Sequence, residues 1–149
     1  MIKELSLCAE IEKTVGQIYL ALAEQASDEN ELKRIWEEMA EDEMEHARLL
    51  QFAQRFDAEK TFDGFNLDMT QLGQLLVQVR ETYDLVMLRV WDDDQAVSMM
   101  LKLEEDFQQV HIRLAANLKD ASMQKMFEKL GKGDDLHVQK LRACRQKSP

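Results

Sequence analysis

Read in steps of four and three, one stretch of the chain runs Leu32, Trp36, Met39, Glu43, His46, Leu50, Ala53. That spacing is one face of an α-helix. It is an apolar seam interrupted only by a carboxylate and an imidazole one turn apart. A polar pair on a core-facing stripe is costly unless something satisfies it. Glu43 and His46, in EEMAEDEMEHARLLQFAQRF, are therefore a pair able to reach one metal ion.

The same pattern returns later in the chain. The stripe Met123, Phe127, Leu130, Asp134, His137, Leu141, Cys144 again carries an acid and a His three apart. Glu43 and His46 map onto Asp134 and His137 at an offset of 91, which also lays Trp36 on Phe127, Met39 on Leu130 and Leu50 on Leu141. An earlier helix with the seam Leu5, Cys8, Glu12, Val15, Tyr19, Leu22 superposes at an offset of 92 on Val97, Met100, Glu104, Phe107, His111. Glu12 falls on Glu104, Val15 on Phe107 and Tyr19 on His111. The chain thus reads as two helical hairpins, each with one seam Glu and one carboxylate-x-x-His. With 29 acidic residues in the chain, one acid three before a His is a weak signal. Two such motifs on apolar seams, each with a seam Glu about 30 residues upstream, are a strong one.

The pattern predicts helices over about 2–26, 29–56, 69–90, 94–118 and 121–145. Ser27 to Asn30 supply a capped turn, Asp57 to Asp68 a loop, and an Asp in the run 92–94 the cap of the fourth helix. The third helix should bury Leu72, Leu75, Leu76, Val79, Tyr83, Val86 and Val90, and it offers no ligand on that stripe. Five Gly and a single Pro at position 149 leave little turn or strand punctuation, so the class is all-α. One domain over 1–149 is expected, with hairpins at about 2–56 and 94–145 and a crossover of about 57–93 that contains the extra helix.

A net charge of −10 and the absence of a basic stripe argue against a nucleic-acid partner. No run of about 18 apolar residues suggests a membrane span, and no signal peptide is recognisable. Cys8 and Cys144 form no CxxC, in keeping with a reducing cytoplasm. They are expected to be packed thiols rather than a redox pair.

Four helices each pointing a carboxylate inward, two of them adding a His, are the ligand pattern of dinuclear carboxylate bundles. Four buried carboxylates would repel one another, and two divalent cations balance them. Oxygen and nitrogen donors without thiolate suit iron or manganese, with zinc as a competitor. The expected ligands are Glu12, Glu43, His46, Glu104, Asp134 and His137, with Glu43 and Asp134 bridging. His111 lies seven residues beyond Glu104, about 10 Å of helix. It and Tyr19 are expected to hydrogen-bond around the ligands, not to ligate.

Over essentially its whole length the sequence resembles the rubrerythrins of the ferritin-like superfamily. The carriers are Glu12 in AEIEKTVGQIYLALAEQA, the segment EDEMEHARLL, Glu104 in LKLEEDFQQVHIRLAAN, and GDDLHVQKL. The resemblance implies a ferritin-like four-helix bundle with a long crossover, two iron ions, and homodimers. It also implies oxidoreductase activity on peroxide, dioxygen or ferrous iron. Three departures qualify it. Asp134 stands where the family has Glu, in a helical turn that Gly131 and Gly133 weaken. Phe107 occupies the place of an additional family Glu. The two CxxC pairs of a rubredoxin domain are not found, so an external electron donor is expected. Asp134 also keeps open an alternative of another class, a structural or metal-sequestering bundle with a non-catalytic site. A storage cage has no visible assembly surface to support it.

Overall fold

The computed structural model describes residues 2–55, 69–116 and 120–146. Among these residues every regular element is a helix: α1 (Ile2–Gln25), α2 (Glu31–Ala53), α3 (Met69–Met87), α4 (Asp93–Ala116) and α5 (Ala121–Gln146). The predicted all-α class is therefore correct. The loop expected over Asp57 to Asp68, and the ends of the predicted second and fourth helices at 56 and 117–118, lie outside the described residues. The chain falls into two compact units, one holding α1, α2 and α3 and the other α4 and α5.

In the first unit α1 and α2 form an antiparallel hairpin. Asn30 caps α2, its side chain accepting from the Leu32 amide at 3.0 Å, and so satisfies one of the amides a helix start leaves over. The seam residues Leu5, Val15, Trp36, Met39, Leu50 and Ala53 are all buried. Helix α2 ends at Ala53, with the Gln54 amide closing on the Leu50 carbonyl at 3.3 Å.

Helix α3 packs against α1. The Gln25 side-chain amide donates to the Val86 carbonyl at 2.8 Å, tying the end of one helix to the end of the other. Two expectations for α3 are corrected. Tyr83 is only half-buried, and Thr82 is buried in its place, its hydroxyl donating to the Gln78 carbonyl at 2.8 Å. Val90 is exposed because α3 stops at Met87. Arg89 adopts a left-handed conformation (φ 55°) and its amide bonds the Val86 carbonyl at 3.0 Å, a helix-ending turn made without glycine.

In the second unit α4 opens with a reciprocal cap. Asp92 Oδ1 accepts from the Gln95 amide at 2.8 Å, and Gln95 Oε1 accepts from the Asp92 amide at 3.0 Å. Asp120 caps α5 through the Met123 amide at 2.9 Å. The α4–α5 hairpin buries Met100, Leu103, Phe107, Phe127, Leu130 and Leu141. Arg142 reaches Glu105 across it at 2.9 Å. Gly131 and Gly133 do not interrupt α5, which is unbroken from Ala121 to Gln146; packing of its apolar face outweighs their weak propensity.

Candidate metal centre

Glu12 is carried by α1, and Glu43 and His46 by α2. All three are buried, the two carboxylates at 1% exposure or less. Glu43 and His46 are one turn apart, and Nδ1 of His46 lies 3.3 Å from Oε2 of Glu43. The same nitrogen is 3.7 Å from Oε2 of Glu12. Each residue offers one ligand atom, and the three atoms lie within 4.8 Å of one another.

The approach of α1 to α2 here depends on Gly16, one turn after Glu12. A Cβ on Gly16 would sit 2.9 Å from the Met44 methyl and 3.5 Å from Cβ of Glu43. The missing side chain lets the two helices close beside Glu43. Tyr19, one turn further along α1, is fully buried and stacks on Trp36 with centroids 5.5 Å apart and planes inclined by 17°. The two rings pack as one apolar pair on the seam that also carries Glu12 and Glu43.

The second unit repeats the arrangement with substitutions. Glu104 on α4 and Asp134 and His137 on α5 are each at most 1% exposed, and their ligand atoms again lie within 4.8 Å of one another. Nδ1 of His137 is 3.3 Å from Oε1 of Glu104. His111 is buried as well, and its Nδ1 meets Oδ2 of Asp134. The sequence placed His111 around the ligands without identifying its partner.

Each set therefore brings two carboxylates and one imidazole nitrogen together out of water. Two carboxylates this close and this buried repel one another, and a cation between them offsets that repulsion. A divalent ion supplies that balance, and the hard oxygen donors with one imidazole match iron, manganese or zinc. The donor sets fit a metal.

Other acids behave as surface groups. Glu45 pairs with Arg48 at 3.2 Å, Glu38 with Arg34 at 3.0 Å, and Asp135 accepts from Gln108 and Gln139. Cys8 is buried one turn before Glu12. Burial, reinforced by the charges of Glu12 and Glu4, pushes its thiol up to about 12. Cys144 is half-buried. Gly16 was missed from the sequence, although its place on α1 one turn after a seam Glu was a readable hint.

A model of the rubrerythrin family matches residues 4–144. No curated protein and no solved structure matches the chain.

Proposed function

The chain belongs to the rubrerythrin family, a ferritin-like di-iron family, and on that premise we propose that it is a non-haem di-iron carboxylate oxidoreductase. Its substrates are peroxide or dioxygen, or ferrous iron itself. The observation that carries this reading is the repetition, in each of two hairpins, of two buried carboxylates and a buried imidazole nitrogen with ligand atoms within 4.8 Å. Glu12, Glu43 and His46 would hold one ion; Glu104, Asp134 and His137 would hold the other. Manganese or zinc can compete for the same donors.

Iron bound there would supply electrons to an oxidant, one per ferrous ion, and open coordination positions for it. The protein's part is positional. Glu43 and His46 share one face of α2, so a rigid helix fixes their spacing. Gly16 brings α1 close enough for Glu12 to join them. Apolar neighbours such as Met39, Trp36, Phe127 and Leu130 keep bulk water from the acids and strengthen every electrostatic interaction there. Phe107, buried on α4, offers no ligand atom, so a ligand exchange at that position is not available to this chain. Electrons for turnover come from a separate donor, and the working form is a homodimer in the cytoplasm. Among the described residues no helix is long and apolar enough to cross a membrane.

The reading is tested by mixing anaerobically Fe(II)-loaded protein with hydrogen peroxide or with oxygen. Consumption of oxidant, with a near-ultraviolet band growing in proportion to iron oxidised, supports it. Iron that stays ferrous with both oxidants contradicts it. One observation favours a second reading, a metal-holding bundle without turnover: Asp134 is a methylene shorter than its counterpart Glu43 and one of its oxygens faces His111. Tight binding of two ions with no oxidation by either oxidant would select it.

A further inference from the structure

The two hairpins differ at two matched places near the acids. Where α2 has Glu43, α5 has Asp134; where α1 has Tyr19, α4 has His111. In the first unit Tyr19 is taken up by stacking on Trp36. In the second, the counterpart of Trp36 is the smaller Phe127, and His111 turns its Nδ1 to Oδ2 of Asp134. Both partners are almost fully buried, at 2% and 1% exposure. The shorter acid and the imidazole that contacts it thus occur together in one half and are both replaced in the other.

We propose that His111 is a positioning residue that holds the Asp134 carboxylate for a metal ion, offsetting the methylene lost relative to Glu43. The inference rests on the metal reading given above. A carboxylate oxygen accepts, so the imidazole Nδ1–H donates to Oδ2. That fixes the plane of the carboxylate and leaves Oδ1 to be shared with Glu104 and His137. An aspartate on a helix has only two side-chain torsions, and one hydrogen bond from a rigid, buried ring restricts both. His111 is two turns of α4 beyond Glu104, too far along the axis to join that residue at one ion. Its action runs through Asp134, whose Oδ2 it contacts.

The experiment is a Co(II) titration of the full-length metal-free chain, in competition with a chromophoric chelator and followed by the visible cobalt bands. Wild type is expected to take up about two ions per chain. His111→Phe, which keeps a flat ring but removes the donor, should weaken one of the two by roughly 10- to 100-fold and change its cobalt bands while the other stays as it was. His111→Gln retains an N–H donor and should restore both affinity and bands to near the wild-type values. His111→Tyr carries its O–H at the far end of the ring, well beyond the place of the imidazole Nδ1, so it should behave as His111→Phe does; adding Asp134→Glu, which recreates the pairing of the first hairpin, should recover the lost ion. This double variant keeps the question open to measurement if His111→Phe fails to fold. Two unchanged affinities in His111→Phe, or a Gln variant as weak as the Phe variant, would overturn the positioning role. So would a Tyr variant that Asp134→Glu does not rescue. A wild-type chain that binds fewer than two ions would instead bring down the metal reading, and this proposal with it.

Discussion

His46 turns its Nδ1 to within 3.3 Å of Oε2 of Glu43, one turn back on the same helix. Glu43 is fully buried, and a second acid, Glu12, stands 3.7 Å from the same nitrogen. Two acids competing for one imidazole out of water is an arrangement that only a cation relieves completely. It gives a direct expectation. Glu43→Gln preserves the shape and removes one charge, so the metal-free protein should gain on the order of 1 kcal/mol, a Tm rise of roughly 2–4 °C for a chain of this size. The same variant should lose one bound metal ion. A fall in Tm would mean that His46 is an imidazolium whose charge the two acids share in the metal-free state.

Gly16 permits a second check. In Gly16→Ala the new Cβ meets the flexible end of Met44 at 2.9 Å, which can swing away. The alanine adds up to about 1 kcal/mol of helix propensity. Tm should therefore change by no more than a few degrees, with metal affinity unaltered. Gly16→Ile places branched atoms against Glu43 and should part α1 from α2, lowering metal affinity at Glu12 by about tenfold or more. Equal metal binding in both variants would show that the close approach does not matter to the site.

Cys8 sets a pH dependence. Its thiol is raised from the ordinary 9.0 to about 12 in the folded chain, first by burial and then by the charges of Glu12 and Glu4. An unfolded chain releases this proton near pH 9 while the folded chain holds it. The stability it contributes is thus complete below about pH 9 and is lost progressively between about 9 and 12. Urea midpoints should fall with pH across that window, and less steeply in Cys8→Ala. Parallel slopes for the two proteins would contradict this. At neutral pH the native thiol should resist alkylation until the chain unfolds.

The reciprocal cap of α4 provides a control away from the acids. Asp92→Ala removes the acceptor held by the Gln95 amide at 2.8 Å and should cost about 1 kcal/mol, a Tm decrease of roughly 2–4 °C. Metal stoichiometry should not change. Loss of metal in this variant would indicate that stability alone governs occupancy.

The helical class, the seams and the six clustered residues were legible in the sequence because all of them follow from one periodicity. A carboxylate and a His on an apolar stripe stand out wherever the stripe can be traced. What escaped depends on atoms that periodicity does not describe. Arg89 ends α3 in a left-handed turn that ordinarily signals glycine, so the helix reads three residues too long and Val90 falls on its buried stripe. Gly16 reads as a weak helix former until Met44 and Glu43 are found against it. His111 was recognised as a residue around the ligands. That it meets Asp134 follows from the register of α4 on α5, in a hairpin one residue shorter between its acids than the first.

The most direct test is an anaerobic Fe(II) titration of the metal-free chain by equilibrium dialysis, paired with thermal melts in the presence and absence of a chelator. The expected result is about two ions per chain, a Tm that rises on loading and falls back when the iron is withdrawn, and loss of one ion in Glu12→Ala. One ion or none, with a Tm indifferent to the chelator, would contradict the assignment of these buried carboxylates and histidines as a metal site.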